Sequence, residues 1–130
     1  MRIAAEDMIA RGAGGRIVNV SSSSAFRAWS PACYASAKSG LLGLTRVGAA
    51  ELGEHGINVN AVVPGVTATP MTLGGGADML NELVKAGPLK NLTGRPSQPE
   101  DVSSAIVYLC RPESRQITAQ AIHTSAGAVV

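Results

Sequence analysis

A chain of 130 residues that is 45% hydrophobic carries enough apolar side chains to form the core of one domain. Its formal charge of +2 is spread along the sequence without a basic block or interleaved aromatic residues, so a nucleic-acid partner is not expected. No apolar run approaches the length of a membrane span, and charged residues interrupt the first segment where a signal peptide would be apolar. We therefore expect no membrane segment and a cytoplasmic location.

The first half of the chain alternates helical and extended patterns. A helix is predicted over residues 1–11, and a buried strand, RIVNV, over residues 16–20. Ser30 and Pro31 are expected to be the N-cap and the first residue of a long helix. Its apolar positions continue to the glycines of residues 53–56, where the helix is predicted to end.

The second half continues this alternation. INVNAVV at 57–63 predicts a second strand, and a short helix is predicted over 77–85. Acidic residues and a proline open SQPEDVSSAIVYLC at 97–110, which is typical of a capped amphipathic helix, and ITAQAIH at 117–123 predicts a third, weaker strand. The order αβαβααβ predicts an α/β fold with a doubly wound parallel sheet, Rossmann-like, as a single partial domain over 1–130.

The two cysteines, Cys33 and Cys110, are far apart in the sequence and form no CxxC or Cys/His ligand spacing. Neither a metal site nor a disulfide framework is predicted from them. We expect both to be buried, reduced thiols.

The segment YASAK places Tyr34 and Lys38 four residues apart, so both lie on one face of the long helix. A fixed ammonium favours the phenolate form of a neighbouring tyrosine, and the pair could therefore exchange a proton with a ligand. A second interpretation stays open, in which the tyrosine ring packs on the core and the lysine extends to solvent.

Hydroxyl groups follow two of the predicted strands. RIVNV runs into four serines that include Ser22, which stands 12 residues before Tyr34, and the second strand runs into PGVTAT at 64–69. In open α/β sheets, ligands bind at the carboxyl ends of the strands. We therefore expect both segments and the tyrosine to face one crevice.

These motifs resemble those of the short-chain dehydrogenase/reductase family. The patterns GRIVNxSS, YxxxK, INVNxxxPGxxxTxM and GRxxxPED follow one another between residues 15 and 101. The resemblance implies an oxidoreductase that uses NAD or NADP and acts on a small-molecule alcohol or ketone. It also implies a homo-oligomer for the full-length form.

The resemblance assigns roles to individual residues. Tyr34 would be the general acid/base, and Lys38 would favour its phenolate form and hold the nicotinamide ribose, so that both contact the cofactor. Ser22 would polarise the substrate oxygen, with Ser21 as an alternative. The nicotinamide carboxamide would be held by the segment that includes Pro64, Gly65, Thr67 and Thr69.

The chain also departs from the family pattern. It contains no TGxxxGxG string, and its motifs match only the carboxyl-terminal half of the family. Near its end, Thr118-Ala119 and Ser125-Ala126-Gly127 replace the usual ITG and VDGG patterns, so either the tail has drifted or its glycine-dependent turns are altered. The alternative function is therefore a truncated, catalytically inactive fragment that acts as an oligomerisation or structural partner.

Two surfaces are expected to be uncovered in a chain that matches only the carboxyl-terminal half of the family. RIVNV is a central strand in the family, and here it would leave one edge unpaired. The long helix would expose an apolar stripe through Leu41, Leu44 and Val47, which relatives bury partly against a second subunit.

Overall fold

The computed structural model describes residues 1–129 and has the predicted order of helices and strands. The elements are α1 (Arg2–Arg11), β1 (Gly15–Val20), α2 (Ala32–Leu52), β2 (Ile57–Pro64), α3 (Ala77–Lys85), α4 (Pro99–Cys110) and β3 (Ala121–Thr124). Within this part of the chain, none of the helices has the length and apolar character needed to cross a bilayer.

The three strands form one parallel sheet in the order β1-β2-β3, which confirms the predicted fold class. Gly15 pairs with Ile57 across the first ladder, and Ala61 pairs with Ala121 across the second. Each ladder joins parallel strands that are linked through at least one helix, as a parallel sheet requires. The carboxyl ends of β1 and β2 consequently lie side by side.

Helices cover the two faces of this sheet. Alternate residues of β2 point to the same face, where Ile57 and Val59 pack with Ala49 of α2, and Ala61 packs with Leu42. Val62 points to the opposite face and is fully buried there, where α4 contacts all three strands. The most buried strand is therefore β2, which lies in the middle of the sheet.

The predicted start of the long helix is wrong by one residue. Pro31 is its N-cap, with an extended ψ of 142°, and the helix begins at Ala32. Ser30 does not cap it, and the Ser30 hydroxyl is buried without a hydrogen-bond partner among the described residues. The predicted end is confirmed, because α2 closes at Leu52 and a 3-10 turn follows as far as a left-handed Gly56.

The third strand is shorter than predicted and begins at Ala121. Ala119 adopts a left-handed backbone with φ of 60°, which interrupts the extended chain. The carbonyl of Ile117 accepts hydrogen bonds from the side-chain amides of Asn58 and Asn60, each at 2.8 Å. Residues 117–120 are therefore held to β2 both by these side chains and by two backbone hydrogen bonds, from the Ala119 N–H to the Val59 carbonyl and from the Ala61 N–H to the Gln120 carbonyl, each at 2.8 Å.

The predicted capping of α4 is confirmed at its first turn. The carboxylate of Asp101 accepts the backbone N–H of Gln98, the N-cap residue, at 2.7 Å, and Pro99 occupies the first helical position. The burial predicted for the cysteines is wrong: Cys33 and Cys110 are both exposed free thiols. Each lies at an end of a helix, on its outward side.

Two of the three residues predicted to form an exposed stripe on α2 are exposed. Among the described residues no strand pairs with the outer edge of β1, and Val20 at its end is exposed. On α2, Leu44 and Val47 are 43% and 54% exposed, while Leu41 is half-buried. We call the pair Leu44 and Val47 the α2 stripe.

Replacing Ala126 with glycine should stabilise the fold. Ala126 has φ of 51°, in the left-handed region, where a Cβ costs about 1–2 kcal/mol. Part of that gain is offset by the extra entropy of an unfolded glycine, so we expect the free energy of unfolding to rise by about 0.5–1 kcal/mol. Urea denaturation of the two proteins measures this difference.

The matched control is Ala50→Gly, at an exposed position inside α2, which should lower stability by about 1 kcal/mol. Ala119→Gly should raise the free energy of unfolding less than Ala126→Gly does, because Ala119 packs against the buried cluster of Ala49, Ile57 and Val59. A lower urea midpoint for Ala126→Gly than for the parent would contradict the assignment of strain to this turn.

Candidate active site

Helix α2 begins beside the end of β1 and carries Tyr34 and Lys38 in its first two turns. The Lys38 ammonium lies 5.6 Å from the centroid of the Tyr34 ring and donates a hydrogen bond to the Val20 carbonyl at 2.9 Å. Tyr34 is 43% exposed, so a ligand can reach it. The predicted pairing of these two side chains on one helix face is present.

The two serines that follow β1 differ in what their hydroxyls do. Ser21 is buried, and its hydroxyl donates to the backbone carbonyl of Lys38 at 2.7 Å. Ser22 is half-buried, and its hydroxyl oxygen accepts the N–H of Ser24 at 3.1 Å, which caps a 3-10 turn. The hydroxyl proton of Ser22 remains available to donate, whereas that of Ser21 is committed to the helix.

The end of β2 approaches the end of β3 at Gly65. The Gly65 N–H donates to the carbonyl of Thr124 at 3.4 Å. A Cβ on Gly65 would lie 3.0 Å from the Cα of Ser125, closer than side chains normally pack against backbone. Glycine is therefore required here for the chain leaving Pro64 to pass the end of β3.

The loop after Gly65 is held by its own hydroxyl groups. The Thr67 hydroxyl donates to the Gly65 carbonyl at 3.3 Å. Thr72 accepts the N–H of Thr69 at 2.9 Å, and its hydroxyl donates to the carbonyl of Thr67. Sequence analysis missed Thr72, although a hydroxyl residue three positions after Thr69 is a pattern that closes local turns.

This loop is also joined to the segment that leads into α4. Thr67 and Ser97 form an isolated parallel bridge, in which Ser97 donates its N–H to Val66 at 2.9 Å and Ala68 donates to Ser97 at 2.8 Å. The threonines predicted to hold the carboxamide thus sit on a segment fixed at both ends. None of these contacts involves the helix that carries Tyr34.

An open cavity of about 640 Å³ lies between α3, the start of α4 and the end of β3. Most of the residues that line it are of polar type, namely Asn81, Thr93, Arg95, Ser97, Gln98, Asp101 and Thr124. Of the residues that carry the predicted chemistry, neither Tyr34, Lys38 nor Ser22 lines it. The cavity is therefore separate from the predicted proton-transfer pair.

The residues present fit one end of a nicotinamide cofactor. Hydrogen-bonding groups suited to a ribose and a carboxamide, namely the Tyr34 hydroxyl, the Lys38 ammonium and the Thr67 and Thr69 hydroxyls, are carried by segments that follow β1 and β2. Residues 1–129 contain no matching binding site for the phosphate end of the cofactor, because no strand there leads through a GxGxxG turn into a helix.

Comparison with known proteins gives consistent matches. A family model described as Enoyl-(Acyl carrier protein) reductase matches residues 1–129. The chain is 40% identical to the short-chain reductase protein NovJ of Streptomyces niveus over 120 residues, which are 87% of this chain and 44% of that protein. It is 36% identical to the (3R)-3-hydroxyacyl-CoA dehydrogenase of Mus musculus over 125 residues, 95% of this chain and 47% of the mouse enzyme.

Solved structures give the same result. The 3-oxoacyl-[acyl-carrier protein] reductase of Brucella melitensis superimposes with a TM-score of 0.86 at 33% identity, covering 99% of this chain and 47% of that one. The acetoin dehydrogenase of Salmonella typhimurium superimposes with a TM-score of 0.80 at 32% identity, covering 98% and 48%. The chain thus spans about half the length of these relatives, and it belongs to the short-chain dehydrogenase/reductase family of oxidoreductases.

Proposed function

We propose that this chain supplies the proton-transfer half of an NAD- or NADP-dependent oxidoreductase that interconverts a small-molecule alcohol and ketone. The observation that carries the proposal is the placement of the Lys38 ammonium 5.6 Å from the Tyr34 ring, at the carboxyl end of β1. A cation so close to a reachable phenol can stabilise the negative charge that develops on the phenol oxygen while a proton is transferred. Substrate identity and the choice between NAD and NADP stay open in this proposal.

Tyr34 is the proposed proton carrier. In the reductive direction its hydroxyl gives a proton to the carbonyl oxygen of the substrate, and in the oxidative direction the phenolate takes the proton from the alcohol. Lys38 stabilises the negative charge that develops on the Tyr34 oxygen during proton transfer, and the hydroxyl of Ser22 donates to the substrate oxygen and orients it toward Tyr34. The nicotinamide, when bound, supplies hydride chemistry, and the protein handles orientation and the proton.

The loop after β2 is the proposed holder of the nicotinamide carboxamide. Pro64 and Gly65 direct the chain past the end of β3, and Thr67 and Thr69 then present hydroxyl and backbone groups. Thr72 ties this loop together through both threonines. A loop held in this way can fix which face of a bound ring is offered to the substrate.

A second function is favoured by the uncovered surfaces. The outer edge of β1 is unpaired within the described residues, and the α2 stripe of Leu44 and Val47 is exposed. Both suit pairing with another polypeptide. On this alternative the chain is a catalytically inactive partner. On the first proposal the other half of the fold pairs with the edge of β1, and the α2 stripe belongs to a homo-oligomer that works in the cytoplasm.

A chimera separates the two functions. This chain would replace the segment that it matches in the Brucella reductase, whose remaining part would supply the other half of the fold. The parent reductase is the control for folding and activity. A chimera that binds NADH or NADPH and reduces a 3-oxoacyl substrate supports the enzymatic proposal; a folded chimera that binds the cofactor without turnover supports the inactive partner.

Replacing Lys38 with methionine in the chimera should weaken cofactor binding and turnover together, because one ammonium serves both the ribose and the phenol. We expect the dissociation constant for the nucleotide to rise roughly tenfold, as loss of a charge-assisted hydrogen bond would cause. We expect kcat to fall by about 100-fold. Fluorescence titration and steady-state kinetics measure the two effects.

Lys85→Met is the matched control, since Lys85 is exposed on α3 and pairs with the exposed Glu82 at 3.5 Å. It should leave both quantities near the parent values. If Lys38→Met lowered turnover while nucleotide affinity stayed unchanged, the lysine would act on the tyrosine alone and its proposed ribose contact would be wrong.

A further inference from the structure

Three consecutive residues at the end of β1 hold helix α2 by polar contacts. The side-chain amide of Asn19 donates to the Thr45 hydroxyl at 2.9 Å, and the Val20 carbonyl accepts the Lys38 ammonium at 2.9 Å. The Ser21 hydroxyl donates to the Lys38 carbonyl at 2.7 Å. We call these three contacts the β1–α2 clamp. They fix the helix along the direction of the strand, which apolar packing alone does less specifically.

Lys38 is held by this clamp at two points. Its backbone carbonyl accepts a hydrogen bond from the Ser21 hydroxyl, and its ammonium donates one to the carbonyl of Val20, the residue before Ser21. The position of its ammonium relative to the Tyr34 ring therefore depends on the register between strand end and helix. The contact with Ser21 involves only the backbone of Lys38, so it does not occupy the ammonium that we propose takes part in proton transfer.

Ser21 is itself rigidly placed. It is 3% exposed, so water cannot readily take over its hydrogen bond, and its N–H donates to the Val62 carbonyl at 2.9 Å. The central strand β2 thus fixes Ser21, and Ser21 fixes the backbone of Lys38. A residue whose hydroxyl is buried and committed in this way is unsuited to polarise a substrate oxygen.

We propose that Ser21 is a positioning residue, which sets the location of the Lys38 ammonium through a buried hydrogen bond to the Lys38 backbone and does not touch the substrate. Its importance for turnover rests on the function proposed above for Tyr34 and Lys38. The structural part of the proposal concerns only Ser21 and Lys38, and it is testable without cofactor or substrate.

The test is the rate at which lysines of the 130-residue chain are reductively methylated, read at each site by mass spectrometry. The chain has three lysines, Lys38, Lys85 and Lys90, so two of them serve as internal references. Ser21→Ala removes the donor and leaves no buried polar atom of its own. We expect methylation of Lys38 to accelerate roughly fivefold, the change in population that one ordinary hydrogen bond supports.

The matched control is Ser39→Ala. The Ser39 hydroxyl also joins α2 to the preceding segment, donating to the Ala25 carbonyl at 3.3 Å, but it does not contact Lys38. This variant should leave the Lys38 rate within about twofold of the parent. Ser21→Thr retains the hydroxyl and should keep the slow rate at Lys38.

An unchanged Lys38 rate in Ser21→Ala would overturn the proposal. So would an equal acceleration at Lys85 and Lys90, since that pattern reports general loosening of the fold. Neither result depends on whether the chimera turns over. An inactive chimera combined with selective exposure of Lys38 would refute the enzymatic function and leave the role of Ser21 in place.

Discussion

Replacing Tyr34 with phenylalanine in the chimera is expected to lower kcat by about 100-fold or more, because positioned proton transfer contributes about that much to catalysis. The substitution removes one hydroxyl and keeps the ring beside Lys38. No described residue donates to or accepts from that hydroxyl, so folding should be nearly unaffected. Nucleotide affinity should also stay within a few-fold of the parent. Steady-state kinetics with thermal unfolding and nucleotide titration measure all three.

Tyr108→Phe is the matched control for this experiment. Tyr34 and Tyr108 are the two tyrosines of the chain, and they have similar exposure, 43% and 49%. Tyr108 lies on α4, which covers the sheet face opposite to α2 and Lys38, and its substitution should leave kcat unchanged. Turnover of Tyr34→Phe within a few-fold of the parent would refute the role of Tyr34 as the proton carrier.

The 130-residue chain on its own is expected to self-associate and to bind neither NADH nor NADPH at micromolar concentration. The unpaired edge of β1 and the α2 stripe are available to another chain. The pyrophosphate of the nucleotide finds no glycine turn at a helix N-terminus in residues 1–129, so many of its usual contacts are missing. Light scattering and fluorescence titration measure the two properties.

The mass from light scattering should exceed the 13.2 kDa of one chain. Replacing both residues of the α2 stripe, Leu44→Lys with Val47→Lys, should shift the mass toward that of the monomer. Met71→Lys is the control, since Met71 is 91% exposed in the loop after β2 and lies outside the stripe. A monomer that binds either nucleotide at micromolar concentration would show that this half of the site is sufficient.

Local sequence patterns predicted the elements whose ends are set by nearby residues. Helix α3 spans the predicted residues 77–85, and α4 carries the capped first turn expected from its acidic residues. Pairing of Tyr34 with Lys38 also followed from helix spacing, because residues four apart share a face. In each case the determining contacts lie within one or two helical turns.

Features set by distant contacts were not predictable in this way. The third strand starts late because the backbone of Ala119 is left-handed, and the segment before it is held by Asn58 and Asn60, almost 60 positions earlier, through the Ile117 carbonyl. The commitment of Ser21 to Lys38 spans 17 positions and distinguishes it from Ser22, although the two serines are adjacent in the sequence. The start of α2 was missed for a local reason instead: Ser30 has the residue type of a helix cap, but the extended Pro31 takes the cap position.

Hydride transfer by the chimera tests the central claim most directly. NADPH carrying deuterium at the transferred position would be incubated with a 3-oxoacyl substrate, and the alcohol product examined by mass spectrometry. The account predicts that the chimera forms deuterated alcohol. It also predicts that the rate of this formation falls by about 100-fold in the Tyr34→Phe and Lys38→Met variants. A folded chimera that binds NADPH but gives no deuterated alcohol would contradict the proposal that this chain carries a working proton-transfer site.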